Sequence, residues 1–202
     1  MHKPVSRRQW RGAVGLLALI VMVGVILIAA LILGLNSPRP IRPPDWQAAD
    51  PPLTLEAAPH ETTVMLLRQS YGDFTLEIEA APRYGPDSGF NGYGLVYRAQ
   101  DDAHYYAFAV GSDGYYAILR VDGDEETPLA DWQQFTHVRR GTQANRLRVA
   151  CAGATCDFFI NDEYATTVED STWPDGDVGL WTRSFENSAV TVQFEGARVW
   201  LK

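Results

Sequence analysis

The chain has 202 residues, 46% of them hydrophobic, and a formal net charge of −8 at pH 7. The charge is unevenly spread. Residues 36–202 hold all 25 acidic residues against 13 of the 17 basic ones, a net charge of −12. A segment this acidic repels phosphate backbones and anionic surfaces, which excludes nucleic acid as an expected partner. It favours solubility and either cations or neutral ligands such as sugars.

The first 35 residues combine a basic cluster with a long uncharged run. Met1 to Arg11 contains one Lys, three Arg and no acid, and residues 12–35 then carry no charge. At about 1.5 Å per residue, a helix of this length spans about 36 Å, more than the roughly 30 Å hydrocarbon core of a bilayer. The run therefore predicts a transmembrane helix at 12–35.

A cleaved secretory signal is the alternative interpretation of this run. Its apolar core would be shorter, roughly 7–15 residues, and would end in a small-x-small cleavage site. The run instead ends Ile32-Leu33-Gly34-Leu35, which favours an uncleaved anchor. Basic flanks stay cytoplasmic, so we expect a single-pass cell-membrane protein with a cytoplasmic tail at 1–11 and residues 36–202 outside the cell.

Residues 36–60 contain seven prolines. Proline fixes φ and removes a backbone donor, so this stretch predicts an extended linker largely without hydrogen-bonded structure.

Residues 61–202 show no helical periodicity of useful length. Short runs rich in aromatic and β-branched residues alternate with turn signals, and Phe74 to Ala80 alternates strictly between apolar and polar residues. Ten or eleven such strands predict an all-β, antiparallel jelly-roll β-sandwich. The predicted strands are 63–68, 74–80, 93–99, 105–110, 115–121, 146–151, 156–160, 164–168, 178–183, 189–194 and 197–201.

Cys151 and Cys156 flank a four-residue turn between two predicted strands. Cross-strand Cβ atoms lie about 4.5–5.5 Å apart, close to the roughly 3.5–4.5 Å that a disulfide needs. The compartment outside the membrane permits oxidation. We predict a Cys151–Cys156 disulfide, with a pair of packed free thiols as the alternative.

The order and spacing of several motifs resemble concanavalin A-like lectin/glucanase sandwich domains of the laminin-G sort, and a related bacterial family labelled 3-keto-disaccharide hydrolase. The resemblance covers about residues 61–202, and it implies a glycan-binding ectodomain behind a single anchor. The motifs are Phe74-Thr-Leu-Glu-Ile-Glu79, Tyr93-Gly-Leu-Val-Tyr-Arg98, Tyr105-Tyr-Ala-Phe108, Gly114-Tyr-Tyr116, Asn145-Arg-Leu-Arg-Val149, Phe158-Phe-Ile-Asn-Asp-Glu163 and Val178-Gly-Leu180.

Catalytic carboxylates are not predicted. Glycoside cleavage usually needs two carboxyl groups about 5–9.5 Å apart. The Glu-x-Asp-x-(x)-Glu strand of laminarinase-like members does not occur, and the strand that carries a carboxylate in the hydrolase family matches Tyr105 to Phe108 here. Glu77 and Glu79 lie about 7 Å apart along one strand face, which we interpret as a solvated face.

No His/Cys metal spacing is present, so no cofactor is expected. The densest acidic turn, Asp122-Gly-Asp-Glu-Glu126, is interpreted as a solvated hairpin turn, with structural calcium as the alternative.

Sugar rings stack on aromatic side chains and present hydroxyls to planar polar groups. Strand alternation predicts that Tyr106 and Tyr116 point into the core, while Tyr97 and Tyr105 point outward. The candidate ligand-binding residues are Tyr97, Arg98, Tyr105, Trp132, Trp181 and Arg183.

The favoured function is a membrane-anchored, extracellular, non-catalytic carbohydrate-binding module. A protein-interaction or sensor ectodomain, or a subunit of a surface assembly, is the first alternative, and a flat polar face without an aromatic cleft would favour it. Because the tail at 1–11 is short, a sensor would need a protein partner in the membrane. A divergent glycan hydrolase is the second alternative, and it requires paired acids in a cleft.

Overall fold

The computed structural model of the chain describes residues 21–25, 40–48, 52–84 and 91–202. The chain divides into two units, residues 1–38 and 39–202, and residues 21–25 of the first are helical. Among the described residues, no helix has both the length and the apolar character needed to cross a bilayer. The predicted tail at 1–11 and most of the predicted transmembrane helix at 12–35 lie outside the described residues.

The described part of the second unit is built from thirteen strands. They are β1 (Trp46–Gln47), β2 (Leu53–Ala57), β3 (Thr62–Tyr71), β4 (Phe74–Tyr84), β5 (Asn91–Ala99), β6 (His104–Gly111), β7 (Tyr115–Asp122), β8 (Glu125–Gln134), β9 (Asn145–Ala152), β10 (Thr155–Ile160), β11 (Glu163–Glu169), β12 (Gly176–Ser184) and β13 (Val190–Leu201).

These strands form two antiparallel sheets. The six-stranded sheet has the order β3-β12-β5-β6-β7-β8. The seven-stranded sheet has the order β1-β13-β4-β9-β10-β11, and β2 pairs with another part of β13. The predicted all-β antiparallel sandwich is therefore confirmed.

The core lies between the two sheets and follows from strand alternation. In β4, Phe74, Leu76 and Ile78 are buried in the core, as the alternating pattern predicts. Fully burying a side chain of this size contributes about 1.5–3 kcal/mol. Because a slip of one residue would turn all three outward, their burial holds the register of the sheet.

The predicted linker at 36–60 needs correction, because part of it belongs to the sandwich. Leu53 to Ala57 forms β2, and Leu55 and Ala57 are buried in the core. These five residues alternate in polarity and contain no proline, so they can pair with β13. Trp46 pairs with Val199 further along the same strand.

The predicted Cys151–Cys156 disulfide is confirmed. The two residues are cross-strand partners in β9 and β10, and both are buried. Since the closed loop is short, the bond contributes about 2 kcal/mol at most to the free energy of unfolding.

Candidate functional site

The outer face of the six-stranded sheet contains many small residues. Alternation turns Tyr93 and Leu95 of β5 into the core and leaves Gly92 and Gly94 facing outward. The small residues on this face are Gly92, Gly94, Ala107, Ala109, Gly111, Ala117 and Gly179. They let large side chains from neighbouring strands lie close against the backbone.

Trp181 of β12 uses this space. A Cβ atom added at Gly92 would lie 2.6 Å from the Trp181 ring, so only glycine lets the indole lie there. Trp181 is fully buried in a second apolar cluster that also contains Tyr105. Burial raises the pKa of the Tyr105 hydroxyl above its ordinary value.

Arg183 lies above these aromatic rings. Its guanidinium carbon is 5.5 Å from the centroid of Trp181 and 5.6 Å from that of Phe185, within the range of cation–π attraction. Its Nη2 lies 2.8 Å from Oε2 of Glu126, and its Nε donates to Oγ1 of Thr62 at 2.5 Å. These partners hold the guanidinium in one place on the face.

A cleft of about 460 Å³ opens beside this cluster. Trp132 and Phe185 form one wall, with their rings edge-to-face and 6.0 Å between centroids. The described residues that line the cleft are Asn91, Gly111, Asp113, Tyr115, Trp132 and Phe185.

The polar groups of the cleft are few and placed among aromatic rings. Asn91 lines the cleft but is only 3% exposed, so it offers a ligand little polar surface. The Asp113 carboxylate supplies an acceptor, and the exposed ring of Tyr115 adds an apolar surface. Such a cleft suits a ligand with apolar faces and hydroxyl groups.

Four of the six predicted ligand-binding residues meet on this face: Tyr105, Trp132, Trp181 and Arg183. Trp132 lines the cleft itself. Tyr105 does lie on the outer side of the sheet, as alternation predicts, but it is 3% exposed and forms part of the supporting layer with Trp181.

The predicted outward orientation of Tyr97 is wrong. Tyr97 is the direct cross-strand partner of Tyr106, and such partners point to the same face of a sheet. The two rings are stacked with centroids 5.1 Å apart, and Tyr97 is 2% exposed. Tyr97 therefore belongs to the core and has no surface to offer a ligand.

Arg98 also leaves the candidate site. It lies at an irregularity in the pairing of β5 with β12, where its φ of 49° turns the chain. The side chain is 1% exposed, and its Nη2 donates to the carbonyl oxygens of Gly72 at 2.9 Å and Gly153 at 2.6 Å. Arg98 thus fixes the turn that the disulfide closes and does not face the cleft.

Sequence reasoning missed most of the cleft lining. Asn91, Asp113 and Phe185 were not predicted as site residues. The turn from β6 to β7 and the end of β12 lie at the same end of the sheet, because antiparallel strands bring alternate turns together there. The turn signal Gly111-Ser-Asp-Gly114 therefore held the information needed to place Asp113, once the strand order was known.

Carboxylates and metal ligands are sparse around the cleft. Among the described lining residues, Asp113 is the one carboxylate. No group of three or more His, Cys, Asp or Glu side chains suited to a metal ion occurs within the described ranges. Asp122 and Glu125, in the predicted acidic turn, are direct partners where β7 and β8 join.

Comparison with solved structures shows the fold. The chain is similar to a carbohydrate-binding module, CBM66, from Bacillus subtilis, with a TM-score of 0.61, 16% identity, and coverage of 72% of this chain and 85% of that one. It is similar to a functionally unknown protein from Saccharomyces cerevisiae, with a TM-score of 0.54, 11% identity, and coverage of 80% and 95%.

A third similar structure is the GH43 protein BlXynB from Bacillus licheniformis, with a TM-score of 0.58 and 12% identity. That match covers 75% of this chain but only 33% of the longer protein. No protein-family model and no curated protein sequence matches the chain. The three similarities therefore show that the described strands of the second unit form a β-sandwich like those of these proteins.

Proposed function

We propose that this chain is a membrane-anchored, extracellular carbohydrate-binding module that does not cleave its ligand. The observation that carries the proposal is the cleft, whose aromatic wall of Trp132 and Phe185 shares the lining with the Asp113 carboxylate. Aromatic rings bind the C–H faces of a sugar, and a carboxylate accepts hydrogen bonds from its hydroxyls.

The similar structures support a carbohydrate ligand. One of them is named as a carbohydrate-binding module, and it matches most of its length. At 16% identity this likeness supports the class of ligand without selecting a particular sugar.

The carboxylates support binding without cleavage. General acid and base roles are usually divided between two carboxyl groups. Within the described lining of the cleft, Asp113 stands alone, and Glu77 and Glu79 lie on the other sheet.

Replacing Trp132 by alanine should weaken glycan binding by at least about tenfold, because the wall loses its stacking surface. The full-length chain in detergent micelles can be screened on a glycan array, and the strongest hit measured by calorimetry. Tyr164→Ala is the matched control, since Tyr164 is an exposed aromatic residue on β11 of the other sheet. Equal losses in the two variants, or no glycan binding at millimolar concentration, would refute the cleft as the site.

The anchor is supported by the uncharged run at 12–35 and the basic residues before it. The full-length chain is expected in the membrane fraction after alkaline washing. Residues 40–202 should be accessible to protease added outside intact cells. Recovery of the domain from the medium, cut free before residue 40, would contradict the anchor.

A further inference from the structure

A row of charged side chains crosses the outer face of the seven-stranded sheet. Arg198 of β13, Glu77 of β4 and Arg148 of β9 are direct cross-strand partners. Glu77 lies 3.7 Å from Arg198 and 3.8 Å from Arg148, measured between carboxylate oxygens and guanidinium nitrogens. The Arg148 guanidinium then covers the ring of Phe159 on β10, 4.4 Å from its centroid.

Two of these charges are buried although they lie outside the core. Glu77 is 2% exposed and Arg148 is 1% exposed. Taking an ion pair out of water costs several kcal/mol for each ion, and apolar residues of similar volume often give equal or greater stability. The buried pair is therefore poorly explained by folding stability alone, and it is well suited to hold the charges around it in fixed positions.

Those surrounding charges line a groove of about 310 Å³. Its described lining residues are Pro52, Glu77, Glu79, Arg146, Glu195, Gly196 and Arg198. Glu79 and Glu195 are about half exposed, and the Arg146 guanidinium lies 4.0 Å from Glu79. Carboxylate acceptors and guanidinium donors thus lie close together in the groove.

We propose that this groove is a second ligand site, and that it takes a neutral sugar ring bound through its hydroxyl groups. Each hydroxyl can donate to a carboxylate and accept from a guanidinium, so neighbouring hydroxyls satisfy both kinds of group. An anionic ring would meet the three carboxylates, and a cationic ring would meet the arginines. None of the described lining residues is aromatic, so hydrogen bonds rather than stacking would hold the ring.

This site is independent of the proposed cleft, because it lies on the opposite sheet and the described lining residues of the two are all different. A domain with both sites would be bivalent, and two linked binding events raise the apparent affinity for a polymer that reaches both.

The test uses the full-length chain with Trp132→Ala as background, so that the cleft does not dominate the signal. Glucose, galactose and fructose are compared with glucuronate and glucosamine by saturation-transfer NMR and calorimetry, up to about 20 mM. Glu79→Gln and Arg198→Gln, both at partly exposed positions, should each weaken binding of a neutral hexose by about tenfold or more.

Glu163→Gln, an exposed position on β11 of the same sheet, is the matched control and should leave binding unchanged. Thermal melting of each variant confirms that the domain is folded. The second site is overturned if no neutral hexose binds, if glucuronate or glucosamine binds more tightly, or if the groove variants bind like the control. Because the test compares hexose binding by the Glu79 and Arg198 variants, it still decides on the second site if the cleft proves not to bind glycans.

Discussion

Replacing Glu77 by alanine is expected to lower the free energy of unfolding by about 3–5 kcal/mol, because it takes from Arg148 the carboxylate buried beside it. Asp162 lies 3.4 Å from the same guanidinium, but it is partly exposed and belongs to the turn between β10 and β11. Water therefore screens its attraction to Arg148, and it cannot replace Glu77 as the partner of that charge. Urea unfolding followed by tryptophan fluorescence measures the loss.

Two comparisons separate this effect from ordinary surface electrostatics. Glu79→Ala removes a half-exposed carboxylate from the same strand and should cost about 1 kcal/mol or less. The double variant Glu77→Leu/Arg148→Met replaces both ions by apolar side chains and should recover most of the lost stability. Similar costs for Glu77→Ala and Glu79→Ala would show that the buried pair is not energetically coupled as the geometry implies.

Replacing Trp181 by alanine is also expected to have a large effect, lowering the free energy of unfolding by about 3–5 kcal/mol. The indole is fully buried over Gly92, and its removal leaves a hole that the small residues of the face cannot fill. Trp132→Ala should cost far less, about 1 kcal/mol, because that ring is partly exposed at the cleft.

The two tryptophans thus have different expected roles: Trp181 stabilises the fold, and Trp132 contacts the ligand. Thermal melting of Trp181→Ala should show a clear shift, whereas Trp132→Ala should lose glycan binding with little change in melting. Trp181→Phe, which keeps an apolar ring at this position, should retain much of the stability. If Trp181→Ala and Trp132→Ala lower the melting temperature equally, the proposed role of Trp181 in stabilising this face of the sheet is wrong.

Most strands were predictable because one of their faces is buried. Phe74 to Ala80 shows this directly, since its apolar residues all lie in the core. The solvated face predicted for this strand is wrong at Glu77, which is buried on the outer side of the sheet, whereas Glu79 is exposed. β8 was missed because Glu125, Glu126, Pro128 and Asp131 do not resemble a strand. β8 is an edge strand, where a proline need not donate to a neighbour.

The C-terminal strand was predicted incorrectly for a different reason. The pair Glu195-Gly196 was interpreted as a break between two strands, but it is an irregularity inside the single strand β13. Gly196 has a φ of 63°, which lets the strand bend and continue. A glycine at a bulge and a glycine at a turn look alike in sequence, because both require the same backbone freedom.

The site was predictable in its chemistry and less so in its geometry. The preference of sugars for aromatic and planar polar side chains led to Trp132, Trp181 and Arg183, which lie on the same face of the six-stranded sheet. Arg98 was misplaced because a positive φ at a non-glycine residue has no reliable sequence signal. Asp113 and Phe185 were missed because a turn and a strand end bring them to the cleft, and their meeting depends on the strand order.

The pairing of β1 with β13 has a practical consequence for engineering. Trp200 Nε1 donates to the carbonyl oxygen of Arg42 at 2.8 Å, so the entry of the sandwich and its last strand lie side by side. A short peptide could join residue 202 to residue 40, and new ends could be opened at the exposed Gly123 between β7 and β8. Such a circular permutant would present the aromatic cleft from a different attachment point while keeping every strand pair.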